Sequence, residues 1–356
     1  MAHPNLPGTE KTVLETSFFG RWRLRALVIV LCAAAAIYSA WWFWLAAQVR
    51  TQLDGWVAAM HAKDHAAAYR ALSVSGFPGR LAIALSGIDT AGPDDAWRIH
   101  VPALRATLAP WDIGSLSGTF DGPVTGNLRG AAVGGAYTLS AAENGFTVIR
   151  DAGGTLRTEL QGVRAARTDA DADTVMTADM LTLALVRATS PVYGRVEMDA
   201  RDVDLPADMH SAFGGHVARF RMTAEATGAE LPEGLNADAL RVWSNEGGAV
   251  DIRMLDVAHG VLGLNGEGTL ALDGDLQPIG AFTARISGFN AAVDTLVAAR
   301  VARPEDGALA KVVLGVLAKS PPGGGPKQVK LPLTLQDRVL SVGPIKLIRL
   351  RRIQWE

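Results

Sequence analysis

His61 and His65 stand four residues apart, with Asp64 between them. On a helix that spacing puts two imidazoles on one face, as a pair of metal ligands requires. The zinc hydrolase motif of this kind also needs a glutamate directly after the first histidine, to act as general base. Ala62 occupies that place, so a solvated helix face is the stronger reading. Asp169, Asp171 and Asp173 alternate in ARTDADADTV, as the oxygen ligands of a calcium loop do. Such a loop has Gly at its sixth position and Glu at its twelfth, and both are missing, which favours a polar turn. Ser115 and Ser117 lie between Gly114 and Gly118, one position out of register for a nucleophile elbow. Gly266 and Gly268 form a bare Gly-x-Gly inside an alternating strand pattern, short of a phosphate cradle. His100, His210, His216 and His259 are scattered and read as structural. The sequence therefore predicts no catalytic residues, no metal site and no cofactor, and a protein that is not an enzyme.

The elements that would carry these residues are easier to read. No charge interrupts the chain between Arg25 and Arg50. Such a run is long enough to cross a bilayer as a helix, which takes about 20 apolar residues. Arg21, Arg23 and Arg25 precede it and only Arg50 follows closely, so the positive-inside rule places the N-terminus in the cytoplasm. Trp41, Trp42 and Trp44 form the expected aromatic belt at the outer interface. Ala34–Ala36 has the small residues of a signal-peptidase site. Cleavage there would leave Trp41, Trp42, Phe43 and Trp44 in water near a new terminus, so a retained anchor is expected. The only cysteine, Cys32, lies inside this run, and the rest of the chain makes no disulfide.

The first 25 residues carry a net charge of +2 within a whole-chain formal charge of −2, leaving −4 on the remainder. No basic footprint points to nucleic acid. With 38 glycines and many short apolar alternations, that remainder reads as β-rich. The expected organisation is a cytoplasmic tail over 1–23, a transmembrane helix over 24–47 and an amphipathic helix over 48–72. A periplasmic β-rich domain follows over 73–356, with a helical insert at about 289–320. Leu53, Trp56, Val57 and Met60 supply the apolar spacing of the amphipathic helix. Leu81, Ile83 and Leu85 begin the strand alternation. Residues 116–129 read as a hairpin, 206–215 as a short helix, and Leu240 and Val242 as part of a strand. Leu255 breaks the alternation of Val250, Ile252 and Met254, the mark of a bulge. Gly266 and Gly268 fall on the apolar face, where a strand bends or meets something closely. In the insert, Leu309, Val312, Val313, Val316 and Leu317 form the apolar stripe of a helix. The fold class expected is mainly β (α+β): one N-terminal transmembrane helix, then a long curved antiparallel sheet with a few covering helices.

Three segments together carry a resemblance. One is the anchor followed by the turn Gly76-Phe77-Pro78-Gly79-Arg80. Another runs from Leu240-Arg241-Val242-Trp243 through Gly268-Thr269-Leu270-Ala271-Leu272 to Ile286-Ser287-Gly288. The third is the ending Leu331-Pro332-Leu333-Thr334-Leu335 to Leu340-Ser341-Val342-Gly343-Pro344-Ile345. Over roughly residues 25–355 the chain resembles the Gram-negative domain-of-unknown-function family 2125, and Gly76, Phe77, Pro78 and Arg80 are its most specific part. The strand pattern is also similar, more loosely, to AsmA-like envelope proteins, which resemble bridge-type lipid carriers. This likeness implies an inner-membrane protein whose sheet offers an apolar face to lipid.

The function expected is binding or transfer of lipid, or of another hydrophobic ligand, in the cell envelope. Leu262, Leu264, Leu270, Leu272, Phe282 and Ile286 are the candidate groove residues. Ordinary core is the competing account for each of them. The partners expected are membrane lipid and an envelope protein, without nucleic acid. The alternative is a non-catalytic scaffold or assembly partner. Lys346, Arg349, Arg351 and Arg352 form a basic end, read as a blunted edge strand or a contact for anionic headgroups.

Overall fold

In a computed structural model the described residues are 16–356, apart from 63, 93–96, 129–136, 150–153, 168–174, 188–191, 232–235, 302, 322–323, 343–344, 354 and 356. The aspartate alternation at 169–173 lies outside them. The described residues begin with one unbroken helix, α1 (Thr16–His61). Its stretch Trp22–His61 is long enough to cross a membrane and contains an 18-residue window with a mean hydropathy of 2.1. The two helices expected over 24–72 are thus one, and it ends early. Past His61 the backbone turns through Asp64 at φ 57°, and Ala66–Ala68 form a strand, β1. Alanine is a good helix former, but here the edge of a sheet takes the segment, pairing it with Thr90 and its neighbours.

The body is one antiparallel sheet. β1 and β2 (Ala71–Ser75) lie end to end along β3 (Leu81–Ala91), and β4 (Trp97–Ala109) follows. β5 (Asp112–Asp121) and β6 (Val124–Leu128) both pair with β4, at its two ends. They are therefore one long strand, interrupted at Gly122-Pro123, and not the hairpin expected over 116–129. β7 (Tyr137–Ala141) and β8 (Glu143–Ile149) repeat the device against β9 (Thr155–Arg167). From there a plain meander runs through β10 (Val175–Arg187), β11 (Val192–Asp204), β12 (His216–Thr227), β13 (Ala249–His259), β14 (Leu262–Leu272), β15 (Pro278–Ser287), β16 (Gln328–Gln336), β17 (Val339–Val342) and β18 (Ile345–Arg349).

Three further helices interrupt it: α2 (Ala237–Asn245), α3 (Phe289–Ala298) and α4 (Pro304–Leu317). The segment with Leu240 and Val242 is helical, not extended. Asn236 caps it by accepting from the Ala239 N–H at 2.8 Å, and Leu240 and Trp243 are buried three residues apart on one face. Within 206–215 only Ala207–Met209 forms a helical turn. The phase break at Leu255 is a register shift between Ile252 and Leu255. In α4 the apolar stripe faces outward: Leu309, Val312, Val313, Val316 and Leu317 are all exposed. α4 meets α3 through its other side, where Gly307 packs against Val293 and Val297 and Lys311 pairs with Asp294.

The two faces of the sheet are chemically opposite. One carries cross-strand ion pairs. Glu225, buried on β12, accepts from Arg195 on β11 at 2.8 Å and from Arg253 on β13 at 2.6 Å. Asp256 accepts from Arg219 at 3.0 Å and Arg221 at 2.5 Å. The hydrogen bond from Arg253 leads in holding the Glu225 carboxyl below the usual range, against the cost of its burial. At Asp256 burial pushes upward, and the hydrogen bonds from Arg221 and Arg219 outweigh it to leave the carboxyl lowered. Depressed carboxylates stabilise the fold above their unfolded pKa values, about 4.3 for Glu and 3.9 for Asp. That contribution is lost as pH falls through the lower folded values. Thermal melts should therefore show a falling midpoint below about pH 4, and Glu225→Gln/Asp256→Asn should flatten this acid limb. An unchanged limb would remove these pairs from the account.

Candidate apolar site

The opposite face is apolar along its whole width. One row, traced by strand register, runs Ile83, Ala106, Gly118, Phe146, Thr158, Leu183, Met198, Met222, Leu255, Gly266, Ala284, Leu331. It reaches from β3 to β16, and Thr158 is its single polar side chain. The flanking row Leu160, Leu181, Ala200, Phe220, Val257, Leu264, Ile286, Val329 is apolar throughout. Strand alternation produces this by sending every second residue to the same side.

α1 covers the first part of that face. Trp42, Leu45, Leu81 and Leu108 form one buried cluster, and Ile83, Leu85, Ala106 and Phe146 form the next, with Val49 and Leu53 of the helix against it. The helix thus runs along β3 from its Leu81 end toward its Ala91 end. Beside it, between helix and sheet, is a cleft of about 620 Å³. Trp41, Trp44, Gln48, Gln52 and Trp56 line it from the helix; Leu104, Ile113, Leu116 and Val148 are among those lining it from the sheet. Its size falls in the range of small-molecule sites, and its few polar groups, Gln48 and Gln52, sit one helical turn apart. A second hollow of about 320 Å³ lies on β9–β12, lined by Met176, Leu181, Met198, Val217 and Phe220 among others.

The six candidate groove residues lie further along. Leu262, Leu264, Leu270 and Leu272 share the apolar side of β14, and register places Ile286 opposite Leu264 and Phe282 opposite Gly268. All six are half-buried. Gly268 has the close approach expected of it: a Cβ there would lie 2.4 Å from the Ala281 carbonyl and 2.5 Å from the Phe282 ring. These residues belong to the same face as the cleft but do not line it. The cleft depends on which side of α1 meets which strands. The spacing of Leu53 and Trp56 and the alternation of Leu81, Ile83 and Leu85 carried its two halves separately.

The aromatic belt is divided. Trp41 and Trp44 are exposed and stack on each other with centroids 5.0 Å apart. Trp42 does not face outward: it is 3% exposed, packed into the first cluster, and donates from Nε1 to the Gly79 carbonyl at 3.0 Å. Successive helix positions point about 100° apart, so three neighbouring tryptophans cannot share one face. In the turn, Phe77 packs edge-on to Trp42 and stacks on Phe43, across a cis Phe77–Pro78 peptide, and Arg80 is exposed.

The histidines separate. His61 closes α1 and its Nε2 accepts from the Ala67 N–H at 3.4 Å, whereas His65 lies past the helix end with its ring 5.9 Å from that of Trp97. Among the described residues no group of three or more His, Cys, Asp or Glu side chains comes together. His216 pairs with Asp204 at 2.9 Å, a hydrogen bond that raises its pKa. Lys346, Arg349, Arg351 and Arg352 are exposed at the last strand and beyond it.

No curated protein and no solved structure matches the chain. One family does, described as an uncharacterized protein conserved in bacteria (DUF2125), over residues 42–351. That span starts at the buried Trp42 and takes in the packed half of α1, the cleft and the apolar face through β18. The chain belongs to this family.

Proposed function

We propose that the protein holds the hydrocarbon part of a lipid, or a ligand of similar shape, against the apolar face of its sheet, in the cleft beside α1. The observation that carries this is the apolar row from Ile83 to Leu331, interrupted only by Thr158, together with the half-buried side chains along most of it beyond β8. A sheet normally buries such a face against a second layer. Here α1 covers its beginning and α3 and α4 reach it at β14 and β16, where Ala284 and Val329 are buried, and the strands between carry half-buried apolar side chains. In this reading α1 spans the inner membrane with its N-terminus in the cytoplasm, and the sheet lies in the periplasm. No catalytic step is part of it, and the protein's work is binding or handing on.

The test is native mass spectrometry of the full-length protein released from membranes, with lipid extraction in parallel. Bound lipid is expected in the wild type. Gln48→Trp, which adds bulk at the half-buried lining position, should reduce occupancy several-fold with an unchanged melting temperature. Protein that carries no lipid on release would overturn the reading, as would full occupancy in the variant.

The outward stripe of α4 favours a second reading, an assembly role. Val316 is 81% exposed, and Leu309, Val312, Val313 and Leu317 extend the patch around it. Exposed apolar patches of this kind mark protein contacts. A protein partner that is captured by the wild type and lost on Val312→Glu/Val316→Glu, with no lipid found, would replace the first reading.

A further inference from the structure

Three turn carbonyls are hydrogen-bonded by side chains of α1. Tyr38 donates its hydroxyl to Pro78 O, Trp42 Nε1 donates to Gly79 O at 3.0 Å, and Trp41 Nε1 donates to Pro110 O at 3.2 Å. These contacts clamp the β2–β3 turn and the β4–β5 turn to the helix at the level of residues 38–42. That level can be placed along the helix. Arg25 is the last charge before the apolar run, and a hydrocarbon core of about 30 Å takes about 20 helical residues. Counting from Ala26, the core ends near Leu45, and Tyr38, Trp41 and Trp42 fall inside its last two turns.

A turn at that depth would normally be costly, because lipid offers no partner for its carbonyls. These carbonyls already have partners. Pro78 and Pro110 also bring no N–H to satisfy, and the Gly79 N–H is taken by Gly76 O at 2.7 Å. The two large apolar side chains on the turns match the setting, with Asp112 at the start of β5 as the charge beside them. Phe77 is 47% exposed and Trp111 is 68% exposed, an unusual state for two large aromatics in water. Arg80 is exposed and pairs with no carboxylate among the described residues, as suits a side chain reaching for a headgroup phosphate.

Resting on the reading of α1 as the anchor, we infer that these two turns insert into the outward leaflet of the bilayer that α1 spans. Phe77 and Trp111 are the inserted side chains, and the occupant of this surface is phospholipid. The cleft mouth at Trp41, Trp44 and Ile113 then opens into the leaflet and not into water, so a lipid would enter the site sideways from the membrane.

The experiment uses the full chain in nanodiscs of phosphatidylethanolamine and phosphatidylglycerol. Cys32→Ala removes the only native thiol. Single spin labels then go on Trp111→Cys, on Val30→Cys within the span, and on Lys319→Cys at the far end of the sheet. Power saturation with oxygen and a water-soluble nickel chelate gives a depth parameter for each. A positive value at 30 and 111 and a negative value at 319 is the expected result. A positive value at 30 with a negative value at 111 overturns the insertion and leaves the anchor standing. Negative values at both 30 and 111 overturn the anchor and the insertion together. Retained far-ultraviolet circular dichroism in each labelled variant shows that the sheet is intact.

Discussion

Trp42→Ala should destabilise the body by about 3–5 kcal/mol, the usual result of emptying a buried tryptophan site. The ring is closed in by Leu45, Leu81 and Leu108, with Phe77 edge-on at 5.5 Å. Its removal also strips the Gly79 carbonyl of its donor, in a place where water is a poor substitute. Trp41→Ala, one residue earlier, should cost about 1 kcal/mol, because that ring is exposed and loses one hydrogen bond and a stack on Trp44. Urea titration of the detergent-solubilised protein, followed by circular dichroism of the sheet, separates the two. Equal effects would mean that Trp42 is not what joins the helix to the sheet.

The second large effect is expected at Gly268. Gly268→Ala should destabilise by about 2–3 kcal/mol, since overpacking costs roughly 1–3 kcal/mol and here the added carbon meets backbone, which yields least. The Ala281 carbonyl would be 2.4 Å away and the Phe282 Cα 2.7 Å away. Gly266→Ala, two residues before it on the same face, meets nothing closer than Leu255 Cβ at 3.7 Å. It should be neutral or stabilising by up to about 1 kcal/mol, from the reduced freedom of the unfolded chain. The pair tests whether Phe282 lies flat on the strand. If both changes are harmless, the ring does not sit over Gly268.

Most of the strand content was legible, because alternation is a local signal that survives in a one-layer sheet with one wet face. The bulge at Leu255 was legible for the same reason: a single residue out of phase shows in the pattern itself. What failed was non-local. Residues 116–129 have the glycine and proline of a hairpin, yet Gly122-Pro123 breaks a long strand instead of reversing it, and only the pairing of both halves with β4 shows this. Ala66–Ala68 has helical propensity that the open edge of β3 overrides. The stripe on α4 has the spacing of a core face, but periodicity does not say what the face meets, and α3 took the other side. The candidate site was half legible. Register puts the six residues of β14 and β15 on one side of the sheet, which their alternation alone already implies. The cleft was missed because it is enclosed by two segments, each of which reads as ordinary core.

α1 has no break between its apolar run and the part packed on β3 and β4. A helix joined to its domain by a loop would let the domain swivel, whereas α1 is a stiff lever. A helix answers a change in bilayer thickness mainly by tilting. If α1 spans the bilayer, the turns held at Tyr38, Trp41 and Trp42 oblige the sheet to tilt with it, so membrane thickness would set the angle at which the apolar face meets the lipid surface.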